Sequence, residues 1–242
     1  MTDRQDDLLA KHDGRYFAVG KFNTGLAMLM KTEKIGKESS VDFGLPSGPA
    51  LFLNLAKKGY IKIKDAEPAA MFYKWENAKV PTNHSSLFDY FELFLSHVVF
   101  SFTAIEAFAN EAIPDSYVHE KLEKDGTKTM NKQEIERATN LDEKLHLVLP
   151  KALGISSPKR TKLWQNYRKL KKMRDRIIHL KKVDRSPSGT ENESVWGMML
   201  RSHGEPFCDQ AHLLIGHYKP AGERRWFQEY PYEITEIDKL FK

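Results

Sequence analysis

The stretch "SSLFDYFELFLSHVVFSFTAIEAFANEAIP", residues 85–114, constrains the fold more than any other part of the chain. From Ser85 to Ile113 it contains no glycine and no proline. The pattern predicts one long helix over about 87–113, with Ser86 as N-cap and Asp89 three positions on. Pro114 ends it, because proline lacks the amide and clashes with the preceding turn. The helix is apolar on most sides, so it belongs at the centre of a helical bundle. Its most apolar part, residues 93–105, lies between Glu92 and Glu106. A membrane span needs roughly 20 apolar residues, so a buried helix without membrane contact is expected. One polar stripe interrupts it: Thr103, Glu106 and Asn110, spaced by three and four.

The remaining text reads as further helices. A polar one is expected near 131–138. An amphipathic one follows over about 141–153, interrupted by Pro150 and stopped at Gly154. "SSP" (156–158) opens a helix to about 182, with Leu163, Tyr167, Leu170, Met173, Ile177 and Leu180 as its core stripe. "DRSPSGTENES" (184–194) has the composition of a flexible linker. Residues 206–220 read as a last core helix with Cys208, Leu213, Leu214 and Tyr218 buried, and the aromatics Trp226 and Phe227 pack back. The beginning is harder to read. "GPALFLNLAKKG" (48–59) is helix-like with Gly59 as a stop. "YIKIK" (60–64) alternates like a short strand, and "YFAVGKF" (16–22) fits strand and helix equally. The expected fold class is mainly α, with an unassigned accessory region over 1–82 and a helical domain over 83–242. A chain of 242 residues is long enough for that arrangement.

Cys208 is the only cysteine. No internal disulfide is possible, which suits a reducing compartment. "MTDRQDDLLAKHDGRYF" lacks the basic end and apolar run of a secretory signal, so a cytoplasmic location is expected. Net charge is +5, unevenly spread. Residues 158–182 hold eleven Lys or Arg and one acid, a local charge of +10, so the rest sums to −5. Such a run is either a solvated helix face or a footprint for phosphate or nucleic acid.

The sharpest site candidate is "KMRDRIIHLKK", residues 172–182. On a helix Asp175 and His179, four apart, share a face, and a carboxylate there orients an imidazole. Arg174 borders the apolar stripe and wants either a buried partner or an interface; Glu106 is the natural partner. An arginine fork suits phosphate oxygens, and an imidazole suits proton transfer near neutral pH. The bland alternative makes His179 a helix-end cap and Arg174 a scaffold cation. Cys208, His212 and His217 share a predicted helix but lack a fourth ligand and zinc-site spacing, so no metal and no cofactor is expected. Neither a P-loop nor a Gly-rich dinucleotide turn is present.

"RDRIIH" resembles the R-x4-H motif of the HEPN superfamily. "FTAIEAFANEAI" (102–113) resembles the long central HEPN helix with its embedded glutamate and asparagine. "LDEKLHLVLPKALG", "LWQNYRKLKKMRDRIIHL" and "PFCDQAHLLIGHY" follow in the family's order, so the resemblance covers about 85–220. It implies an antiparallel helical bundle that forms a homodimer, two R-x4-H motifs facing across a shared groove. It implies a metal-independent endoribonuclease, cutting RNA by attack of its own 2′-OH, in a toxin–antitoxin or antiviral defence setting with a possible antitoxin partner. Arg174 and His179 would be catalytic, and Asp175, Glu106 and Asn110 supporting. Lys171, Lys172, Arg176, Lys181 and Lys182 would hold RNA. The alternative is a non-catalytic HEPN module binding RNA, nucleotide or a partner protein. Some relatives regulated by tyrosine nucleotidylation carry tyrosine two residues after the histidine; Lys181 stands there.

Overall fold

The computed structural model describes residues 13–16, 18–19, 27–37, 39–76, 78–123, 126–186, 194–218 and 224–232. The fold is mainly α. Helices α1 (Gly48–Ile63), α2 (His84–Glu111), α3 (Lys132–Ala138), α5 (Lys162–Ile178), α6 (Val195–Arg201), α7 (Phe207–Gly216) and α8 (Arg225–Gln228) are regular. Between α3 and α5, the helix α4 runs through Leu141–Glu143, a π-helical turn at Lys144–Val148 and Leu149–Leu153. Strands among the described residues form four separate antiparallel pairs: β1 (Ala18–Val19) with β2 (Ala27–Met28), β3 (Met30–Lys34) with β4 (Ser40–Gly44), β5 (Phe72–Trp75) with β6 (Ala78–Pro81), and β7 (His119–Glu123) with β8 (Gly126–Met130).

α2 is the central helix that its sequence predicts, and α1, α5, α6 and α7 all pack against it. By length and apolarity it could cross a membrane. Here its Phe94, Val98, Ile105, Phe108 and Ala109 lie in the protein core. Its N-cap is Asn83 rather than Ser86: the Asn83 side-chain oxygen accepts from the Ser85 and Ser86 amides. An Asn one turn earlier satisfies the first free amides and lengthens the helix to His84.

The largest departure from the sequence reading is α1. "YIKIK" is not a strand, and Gly59 is not a stop. The helix runs to Ile63, which is buried, and Tyr60 stacks on His97 at 5.0 Å. Gly59 is there because α2 comes close: a Cβ would lie 2.9 Å from the Leu93 carbonyl oxygen. Ala50, Leu53 and Ile63 belong to the same core cluster as α2 and α7, so the core runs across the expected division at 82/83. Lys57 of α1 reinforces this by binding Asp209 of α7 at 2.8 Å.

α3 starts on a reciprocal cap between Asn131 and Glu134, and Gly154 ends α4 in the left-handed conformation at φ +62°. Leu213 of α7 is 58% exposed, against expectation, whereas Cys208, Leu214 and Tyr218 are buried. Trp226 packs back as expected and is buried. α6 has no counterpart in the sequence reading. Residues 187–193, most of the expected linker, and residues 17 and 20–22 of the ambiguous "YFAVGKF" lie outside the described residues.

Candidate functional site: the C-terminal end of α5

α5 is capped by Thr161 and buries Tyr167, Leu170 and Met173, three of the six stripe positions. Leu163 and Ile177 pack at its margin. It stops at Ile178, one turn short of the expected end. His179 leaves helical geometry at φ −113°, ψ 72°, though its amide still donates to the Asp175 carbonyl at 3.0 Å. A 3-10 turn, Lys182–Arg185, follows.

Asp184 is the reason for the stop. Its side chain is fully buried. The carboxylate accepts the Lys181 amide at 2.6 Å, the Val195 amide at 2.7 Å and the Arg176 guanidinium at 2.8 Å. Its carbonyl accepts the Trp196 indole N–H at 2.9 Å. In a continuing helix the Lys181 amide would donate to the Ile177 carbonyl; here the buried carboxylate takes it. Three donors hold Asp184 ionised, their hydrogen bonds outweighing burial and leaving its carboxyl below the usual range. The turn carrying His179 is thereby tied to the start of α6. His179, Leu180, Lys181 and Lys182 are exposed on it, with Leu180 at 44% rather than in the core.

Arg174 does not pair with Glu106. Its guanidinium lies 4.3 Å from the Phe102 ring centroid and donates to Asp175 at 2.9 Å. A cation over a ring face tolerates partial burial, which explains an arginine beside an apolar stripe. Asp175 thus orients Arg174 rather than the imidazole, because the helix ends before His179 can share its face. Glu106 is exposed and makes no ion pair among the described residues. Its charge instead favours the ammonium of Lys144, whose pKa burial pushes down. Lys144, itself buried, donates to Asn110 at 2.7 Å and to the Glu136 carbonyl at 2.9 Å. Glu106 and Asn110 therefore serve the π-helical turn of α4, and the expected support for Arg174 falls to Phe102 and Asp175.

The basic run divides into two sets. Asp142 takes Arg168 at 2.7 Å, Lys171 at 2.8 Å and the Tyr167 hydroxyl. Lys169 pairs with Glu205 and Arg176 with Asp184. Lys171 and Arg176 are thus both held by carboxylates of the scaffold. Lys159, Arg160, Lys162, Lys172, Lys181 and Lys182 are exposed and make no ion pair among the described residues. Arg168 and Lys169, although paired, are exposed as well.

The Cys208 set is a packing arrangement. The buried thiol is pushed up to about 12 by burial. The His212 ring lies 4.0 Å from Phe227 and 4.5 Å from Tyr230, and its Nε2 bonds the Phe227 carbonyl. His217 bonds the Ser156 carbonyl. Among the described residues no group of three or more His, Cys, Asp or Glu is placed to hold a metal ion.

Sequence reasoning missed Phe102, Asp142, Asp184 and Trp196. Asp142 meets partners 26 and 29 residues away, and no local spacing rule announces such a pairing. Asp184 carried a legible signal, an acid three residues after Lys181, obscured by the linker composition around it. Comparison with protein families, with curated proteins and with solved structures found no match to this chain.

Proposed function

We propose that this protein is a metal-independent endoribonuclease of the HEPN kind, an antiparallel bundle acting in the cytoplasm as a homodimer, in a toxin-like or defence role. The observation that supports it is the end of α5: an exposed histidine and a partly exposed arginine five residues apart, beside exposed Lys172, Lys181 and Lys182. In this reading the RNA 2′-OH attacks the adjacent phosphate in line. His179 moves a proton, contributing about 10²–10⁴ in rate. Arg174, steadied by Phe102 and Asp175, meets the charge building on the phosphate oxygens. The lysines hold the strand electrostatically.

The test is incubation of purified protein with total RNA and with tRNA in EDTA, with mapping of the ends. Cleavage should persist and leave 2′,3′-cyclic phosphate and 5′-hydroxyl ends. His179→Ala and Arg174→Ala should each nearly abolish it while RNA binding stays mostly intact. Wild-type cleavage by His179→Ala would rule the mechanism out. Light scattering should give a dimer at micromolar concentration, with exposed Ile178 and Leu180 at or near the seam; a strict monomer counts against it. One observation favours a second reading, a non-catalytic module binding RNA, nucleotide or an antitoxin-like partner: the Asp175 carboxylate is on Arg174 and leaves the imidazole without that orienting group. Binding without any cutting would put this reading first.

A further inference from the structure

Beside Trp196 of α6 lies an open groove of about 480 Å³, lined by Phe88, Phe91, Glu92, Leu95 and Trp196. Its volume is that of a small-ligand site, roughly 300–1,000 Å³. Three of its five walls are aromatic rings, with Phe91 and Trp196 at 5.3 Å. Phe88 is 56% exposed on α2, so its ring is open to solvent at the groove. Glu92, its one charged group, only accepts hydrogen bonds when ionised. Trp196 joins the groove to the basic turn through one residue: its indole N–H is held by the Asp184 carbonyl, and the Asp184 carboxylate holds the Lys181 amide. Lys181, Lys182 and Arg185 are exposed within that turn.

We infer that this groove is the base subsite for single-stranded RNA, taking an unstacked base, preferentially guanine, while the basic turn holds the adjoining phosphate. The inference rests on reading the end of α5 as an RNA site. Flat aromatic walls match the face of a base, and cations on the turn that bonds Trp196 match a polyanionic backbone. Glu92 supplies the selectivity. Guanine presents N1–H and N2–H side by side and can give a carboxylate two parallel hydrogen bonds. Uracil flanks its single N3–H with two carbonyl acceptors, which repel the carboxylate.

The probes are GMP, AMP, CMP and UMP, and short 2′-O-methyl oligoribonucleotides that cannot be cut, added to the full chain. Tryptophan fluorescence should quench with GMP ahead of UMP, and the response should vanish in Trp196→Phe, which leaves the other three tryptophans. Phe88→Ala, at an exposed position that should not disturb folding, should weaken guanine-containing oligonucleotides about tenfold, within the range for losing one stacking ring. Glu92→Gln should reduce guanine-over-uracil discrimination about tenfold, as for losing one bidentate base contact. Binding that ignores Phe88, Glu92 and Trp196 overturns the subsite. So does conversion of an oligomer to monomer by Phe88→Ala with RNA binding unchanged, which makes the groove a protein interface. Because the oligonucleotides are uncleavable, the result is separate from catalysis. Guanine-selective binding without any nuclease activity keeps the subsite and removes the enzyme. Cleavage whose KM and base preference are unmoved by Phe88→Ala removes the subsite and keeps the enzyme.

Discussion

At the residue scale, five of the eleven cations in residues 158–182 are tied to acids: Arg168 and Lys171 to Asp142, Lys169 to Glu205, Arg174 to Asp175 and Arg176 to Asp184. Adjacent basic residues therefore have different jobs. Arg176 is 12% exposed against a fully buried carboxylate. Asp184→Ala should destabilise the fold by roughly 3–5 kcal/mol, because it removes the buried carboxylate that accepts from the Arg176 guanidinium and two amides. Lys182→Ala, an exposed neighbour of that hub, should stay within about 0.5 kcal/mol of wild type and, under the proposed function, weaken only RNA binding. Urea denaturation of both variants checks the contrast; equal midpoints would mean that Asp184 is not a structural centre.

At the element scale, the informative case is α1. A Gly-stop followed by an alternating pentapeptide is a sound local argument for helix and then strand, and it fails for a tertiary reason. Gly59 is needed for close approach to Leu93 and His97, and Ile63 enters the core. Gly59→Ala separates the two accounts. If Gly59 merely interrupted a helix, alanine would stabilise by about 1 kcal/mol through helix propensity. With backbone 2.9 Å from the new Cβ, it should instead destabilise by about 1–3 kcal/mol. A denaturant midpoint shifted upward would show that the helices do not approach as described. The same distinction applies at the end of α5, where stripe periodicity carries through Leu180 but the helix ends at Ile178 and a buried acid captures the Lys181 amide.

At the scale of the whole molecule, buried titratable groups set the response to acid. His97 is fully buried between α1 and α7; its Nδ1 faces the Ala56 carbonyl, and its Nε2 lies against the Glu205 carbonyl and the Phe207 amide. Burial lowers its pKa, and that of His212, despite their carbonyl partners. In the unfolded chain these rings protonate near pH 6.5. The unfolded state thus binds more protons below that pH, and the stability present above it is lost as pH falls toward the folded pKa. Thermal melting should drop between pH 7.5 and 5.5, and His97→Gln should start lower and show a smaller drop. An unchanged midpoint across that window would contradict neutral burial of these rings. A second loss follows below about pH 4. Burial opposes ionisation of Asp142 and Asp209, but Lys171 and Tyr167, and Lys57 and Tyr230, hold these carboxyls below the usual range.

Local sequence determined the mainly α class, the long central helix ended before Pro114, the polar helix near 131–138, the stop at Gly154, and the basic helix with Arg174 and His179 near its end. Each follows from interactions within a few residues: 3.6-residue periodicity, a missing amide, a left-handed glycine. Tertiary structure alone decided which cations are paired, that Glu106 and Asn110 lie with Lys144, that Gly59 sits inside a helix, and that Trp196 forms a groove wall with Phe91. Those outcomes depend on which acid or ring arrives from a distant segment. A carboxylate or an aromatic face acts over a few ångströms in space without regard to separation along the chain, so no spacing rule in the sequence encodes it.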